Sequence, residues 1–194
     1  MNIRFTITIF LICSISLQPS MAQNKRKSID QRVDSLMLLM TLEEKIGQMN
    51  QYNDDQSVTG PETIDPDKAG QIIRGEVGSL LNCNGTLRTA GWQKVAMQSR
   101  LKIPLLFGQD VVHGYKTTFP IPLAEACSWD MEAIELSARI AATEASAGGI
   151  HWTFAPMVDI ARDPRWGRVM EGAGEDPYLG SLIAAARVKG FQGD

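Results

Sequence analysis

Histidine and cysteine are scarce in this 194-residue sequence, at two and three residues, and runs of one charge are missing. The cysteines fall outside any CxxC or Cys/His spacing, so the sequence calls for no metal and no cofactor. Lysine and arginine number 19 against 22 aspartates and glutamates, with no five or six like charges in a row. That balance favours neither nucleic acid nor an anionic membrane as a partner. No glycine-rich phosphate turn follows any expected strand, which argues against a dinucleotide site. No apolar run reaches the ~20 residues that a bilayer-spanning helix needs.

The longest apolar run, residues 5–17, follows Arg4 and precedes Ser20-Met21-Ala22. A positive start, a short apolar stretch and small residues before a cut make a secretory signal. The expected cleavage is after Ala22, giving a periplasmic or secreted protein without a stable membrane anchor. Residues 23–27 then read as a polar leader. Cys13 leaves with the signal; Cys83 and Cys127 remain, and an oxidising compartment permits a disulfide without requiring one.

Two helix starts open the mature chain. Ser28 with Gln31 and Thr41 with Glu44 both fit the capping box, in which side chains and free N–H groups satisfy one another. Val33, Leu36, Met37 and Met40 recur at helical spacing after the first, so its methionines read as core filler. Residues 53–68 are polar and rich in turn formers, hence a surface loop. Alternation follows: a helix over 67–74, a strand over 77–82, a helix over 86–100 and a strand over 103–109. A helix over 130–147 and a strand over 153–158 come next. Asp176-Pro177 opens a last helix, with Gly190 as its stop. Apolar strands alternating with helices make an α/β fold with a parallel sheet.

Each expected strand runs into a polar residue: Asn82, Asp110 and Asp159. In parallel α/β folds the carboxyl ends of strands carry the ligands. LLFGQDVVHGY, residues 105–115, delivers Asp110 to such an end with His113 three residues later. An ionised Asp there accepts hydrogen bonds from hydroxyl donors, or caps a loop. His113, without a spaced partner, forms neither a triad nor a metal site. FAPMVDIARDPRWGRVMEGAGEDPYLG, residues 154–180, packs Arg162, Asp163, Arg165, Arg168 and Glu171 close after Asp159. Pro164 and Gly167 keep this stretch out of helix. Its charges form an ion-pair network, or hold one arginine fork while the free N–H groups grip a ligand. Trp166 is expected to pack on the loop.

GSLLN, GQDVVHG, FAPMVDIARDPRWGRVMEG and GEDPYLG, in this order, resemble the amino-terminal barrel of glycoside hydrolase family 3. Within it they are most similar to bacterial periplasmic β-glucosidases, from TLEEKIGQM onward. The resemblance implies a (β/α)8 TIM-type barrel, of which residues 28–194 hold about the first three strand–helix units. A full barrel takes ~250 residues, so the chain reads as the incomplete amino-terminal part of that domain.

The resemblance further implies a retaining, exo-acting β-glucosidase that takes terminal β-D-glucosyl residues from oligosaccharides or glucosides. It assigns Asp110 and Arg168 to the sugar, with Glu171 bracing Arg168 and His113 in a supporting place. The nucleophile and the acid/base are implied to lie outside these 194 residues, leaving the piece inactive alone. Alternatives are β-xylosidase or N-acetylglucosaminidase specificity in the same family, or a non-catalytic carbohydrate-binding barrel. AGED at 173–176 departs slightly from the family pattern, away from the chemistry.

Overall fold

The computed structural model describes residues 27–54 and 66–193. The expected signal, most of the leader and most of the 53–68 loop lie outside the described residues. The chain divides into two compact units, residues 1–38 and 39–194.

In the first unit, helix α1 (Ile29–Met37) starts at Ser28, where both halves of the capping box form with Gln31. The apolar face expected of α1 is not a core face, because none of its residues is buried and Val33 and Met37 are exposed. The reading of these methionines as core filler therefore fails for Met37.

In the second unit, α2 (Leu42–Gln48) begins with the Thr41–Glu44 capping box. Four strands follow in chain order, β1 (Gln51–Asn53), β2 (Ser79–Leu81), β3 (Leu106–Gln109) and β4 (Trp152–Thr153). They form one parallel sheet in the order β1-β2-β3-β4. Helix α3 (Lys68–Arg74) links β1 to β2, and α4 (Thr86–Ala96) links β2 to β3. Helices α5 (Pro122–Ala126) and α6 (Met131–Ala147) link β3 to β4. After β4, a single 3-10 turn (Val169–Glu171) precedes α7 (Pro177–Gln192).

Parallel neighbours need a crossover, and α3, α4 and the α5–α6 pair supply the three. Leu80, Phe107, Ile72, Val77, Ala141, Ala145 and Ile150 form the main core between sheet and helices. Ala126, Ile134, Ile183 and Ala186 form a second cluster joining α5, α6 and α7.

The alternation is as the sequence implies, but its bounds differ: α4 ends at Ala96 short of residue 100, β3 begins at Leu106 instead of 103, and α5 is an added helix. β1 adds a strand that was not expected, ending at Asn53 where the loop was expected to begin. The strand expected over 153–158 stops at Thr153, because its partner β3 ends at Gln109 and offers no further ladder. Gly190 does not stop α7, which runs on to Gln192. It lies where α6 and α7 touch; a Cβ there would sit 2.4 Å from the Glu135 carbonyl oxygen and 2.7 Å from Ala138 Cβ. Cys83 and Cys127 are both free thiols, Cys83 buried and Cys127 exposed. No helix among the described residues is long and apolar enough to cross a membrane.

Candidate functional site

The carboxyl ends of the four strands lie on one side of the sheet, since all are parallel. At the end of β1, Asp54 is 2% exposed and takes the Arg88 guanidinium in a two-pronged pair, one prong 2.6 Å long. Trp92 Nε1 also donates to Asp54 at 3.3 Å. Asn82, at the end of β2, donates to the Asn53 side-chain oxygen at 3.2 Å. Next to it the Cys83 thiol is pushed up to about 12, by burial first and then by the charge of Asp54. This end of the rim is a packed polar cluster, and its charges are internal.

The β3 end is different. Asp110 is exposed. Its backbone is nevertheless fixed: the N–H of Val111 donates to Thr153 Oγ1 at 3.1 Å, and the N–H of Asn82 donates to the Gly108 carbonyl at 3.0 Å. Beyond it, residues 113–119 close on themselves through Phe119 N–H to the His113 carbonyl at 2.8 Å and a Gly114–Thr118 bridge. His113 Nδ1 lies 3.2 Å from the Phe119 carbonyl oxygen, so its ring is engaged in holding this loop.

Glu144 of α6 grips the same loop. It accepts from the backbone N–H groups of Lys116 and Thr117, each at 2.8 Å, and from the Thr117 hydroxyl at 2.6 Å. The Thr117 hydroxyl, then those two N–H groups, hold the Glu144 carboxyl below the ordinary carboxylate range.

After β4 the chain forms a loop that stays out of α-helix as expected but includes the 3-10 turn at Val169–Glu171. It is closed by Ala161 N–H to the Gly174 carbonyl at 3.0 Å. Two ion pairs lie within it. Arg165 and Asp163 pair at 2.5 Å on the exposed surface. Arg168 lays its Nε and Nη2 against both oxygens of Glu171, at 2.9 and 2.7 Å. This fork-on-carboxylate contact holds the guanidinium in one plane. Its remaining N–H groups have no partner among the described residues, and the side chain is 58% exposed. The Glu171 contact raises the Arg168 pKa, and the negative charges of Asp159 and Asp110 raise it further. Arg168 in turn holds Glu171 low.

The structure thus brings Asp110, Asp159, Arg168 and Glu171 within electrostatic reach on one rim. Trp166 is half-buried and borders an open hollow with Asp159, Ile160, Arg162 and Asp163.

A crevice of about 350 Å³ runs beneath this rim, with Val112, Asp159, Glu171 and Arg187 in its wall. Neither Asp110 nor Arg168 lines it. Among the described residues, no three His, Cys, Asp or Glu side chains gather as a metal ion would need. The sequence reading missed Glu144 and Arg187, and no local signal marks them. The partners of Glu144 are 27 and 28 residues away in the chain, and those of Arg187 62 and 75.

An exposed carboxylate within electrostatic reach of a braced guanidinium suits a neutral polyhydroxyl ligand. The carboxylate accepts from hydroxyl groups, and the free N–H groups donate to oxygen.

Comparison with known proteins points the same way. Residues 41–194 match the family model described as glycosyl hydrolase family 3 N terminal domain. The chain is 40% identical over 194 residues to the periplasmic β-glucosidase of Salmonella typhimurium, covering 93% of this chain and 24% of that protein. It is 31% identical over 192 residues to a β-xylosidase/α-L-arabinofuranosidase 2 of Medicago sativa, covering 93% of this chain and 21% of that protein. Among solved structures, it is similar to β-glucosidase from Listeria innocua in complex with isofagomine. There the identity is 44% and the TM-score 0.76, over 87% of this chain and 23% of that one. The chain spans about a quarter of the length of these relatives.

Proposed function

Because the chain belongs to glycosyl hydrolase family 3, we propose that it forms the sugar-holding part of a retaining, exo-acting β-glucosidase. The observation that carries this reading is the Arg168–Glu171 fork, with its free N–H groups on the rim that Asp110 also occupies. Asp110 accepts hydrogen bonds from the hydroxyls of a terminal β-D-glucosyl unit, and Arg168 donates to its oxygens. Glu171 keeps the guanidinium aimed, and His113 holds the 113–119 loop that follows Asp110.

Retaining hydrolysis needs two carboxyl groups about 5–5.5 Å apart across the scissile bond, one as nucleophile and one as acid/base. Glu171, tied to Arg168, serves binding, and the family resemblance assigns both catalytic groups to the whole hydrolase outside these 194 residues. The chain alone is therefore inactive. Its contribution is to fix the sugar, which removes orientational freedom before the bond breaks. The apolar run before Ala22, together with a periplasmic relative, supports export.

A second reading, β-xylosidase specificity, has the Medicago sativa relative in its favour. Hydrolysis of 4-nitrophenyl β-D-glucopyranoside, β-D-xylopyranoside and N-acetyl-β-D-glucosaminide by the whole hydrolase, with the released anomer followed by NMR, separates these readings. The expected result is preference for the glucoside, a β-anomer released first, and no turnover by the 194-residue chain. A released α-anomer contradicts retention. Turnover by the chain alone contradicts the placement of the nucleophile.

A further inference from the structure

Arg187 of α7 is a buried cation in the wall of the crevice behind the rim. Its side chain is 4% exposed and pairs at 2.5 Å with Glu125 of α5, itself 7% exposed. Glu125 accepts a second hydrogen bond from Ser137 Oγ of α6 at 2.8 Å. The other arm of the guanidinium, Nη2, donates to the backbone carbonyl of Val112. Val112 is two residues beyond Asp110. α7 is the helix into which the Arg168–Glu171 loop runs, and Val112, Arg187 and Glu171 share the wall of one crevice.

Stability alone does not account for this arrangement. Taking an arginine out of water is costly, and burial is the main cause lowering its pKa here. Replacing both members of a buried ion pair by apolar side chains of similar volume is often neutral or stabilising. An apolar pair, however, cannot hold a carbonyl oxygen. The planar fork faces two ways, with Glu125 fixing its direction and Val112 receiving the other arm.

We propose that Arg187 is a positioning residue that sets the spacing between Asp110 and Arg168. It does so by tying the Asp110 segment to the helix behind the Arg168 segment, with Glu125 keeping it aimed. This rests on the reading that Asp110 and Arg168 hold the sugar. Misplacement of a binding group by about 1 Å can cost on the order of a hundredfold in rate, so the tether has room to matter.

The test compares four variants of the whole hydrolase with 4-nitrophenyl β-D-glucopyranoside: Glu125→Met with Arg187→Met together, Arg187→Lys, Asp110→Ala and Arg168→Ala. The double variant removes both buried charges, so its unfolding midpoint should stay within a few degrees. Its kcat/KM should fall on the order of 10- to 100-fold. Amide exchange at Val111, Lys116 and Thr117 should speed up, while Leu80 and Phe107 keep their protection. Arg187→Lys keeps the charge but not the fork and should recover part of the loss.

A folded double variant with unchanged kcat/KM and unchanged exchange, beside impaired Asp110→Ala and Arg168→Ala, overturns the tether and leaves the sugar-holding reading standing. Unchanged kinetics in those last two overturns that reading itself. If the double variant does not fold, Arg187→Lys decides: wild-type kcat/KM there also overturns the tether.

Discussion

Replacing Gly190 with alanine adds one methyl group where α6 and α7 touch. Its Cβ would fall 2.4 Å from the Glu135 carbonyl oxygen and 2.7 Å from Ala138 Cβ. A backbone oxygen and a Cβ cannot rotate away, so the helices must separate. Overpacking of this kind costs about 1–3 kcal/mol. Two contacts under 3.0 Å to atoms that cannot move aside place this one at about 2–3 kcal/mol of that range. Alanine returns about 1 kcal/mol of helix propensity, which leaves a net loss of about 1–2 kcal/mol. For a domain of 150–250 residues, each kcal/mol moves the melting temperature by about 2–4 °C. Gly190→Ala should therefore lower Tm by about 2–8 °C in thermal unfolding followed by circular dichroism at 222 nm.

Gly180 supplies the internal control. It lies in the same helix and has no atom within 4 Å of its ideal Cβ. Gly180→Ala should gain about 0.5–1 kcal/mol and raise Tm by a few degrees. A rise in both variants would refute the packing argument, because propensity alone would then explain them. A fall in both would refute the propensity half.

Two further outcomes follow from the titratable groups. Cys127 should react readily with a thiol reagent on the folded protein, whereas Cys83, buried and with its pKa near 12, should react only on unfolding; mass mapping of labelled peptides reads this directly. Equal labelling of both under native conditions would contradict the burial of Cys83. Glu144 has a depressed folded-state pKa, so its hold on Lys116 and Thr117 is in full force above the unfolded carboxyl value of about 4.3. The hold is lost as pH falls through the lowered value. Amide exchange at Lys116 and Thr117, referenced to Leu80, should rise on acidification, and Glu144→Gln should show the faster rate already at neutral pH. No difference between Glu144→Gln and the unaltered protein at neutral pH would count against the clamp.

Local chemistry was readable wherever the signal is confined to a few residues. Ser28 with Gln31, Thr41 with Glu44, and Asp176 before Pro177 start helices where their side chains reach the free N–H groups. The strand–helix alternation was legible because Leu80 and Phe107 sit in apolar runs and become the centre of the core. β1 was not legible: Gln51–Asn53 is polar and directly follows α2, and its pairing with β2 depends on residues 28 positions away. Gly190 was misread because a glycine that allows two helices to touch looks, in sequence, like one that ends a helix.

The site divides the same way. Arg168 and Glu171 are three residues apart, so their pairing was within reach of inspection. Asp110 could be placed because a strand delivers it. The groups that hold the segment after it, Thr153, Glu144 and Arg187, come from three later elements, and only the folded chain brings them to residues 111–117.

The central claim is that Asp110 and the braced Arg168 together hold the sugar. Steady-state kcat/KM of the whole hydrolase for 4-nitrophenyl β-D-glucopyranoside, with Asp110→Ala and Arg168→Ala each introduced alone, tests it most directly. Each substitution should lower the ratio on the order of 10- to 100-fold, the loss expected for hydrogen bonds to a charged group. A ratio unchanged in either variant, at an unchanged melting temperature, would contradict it.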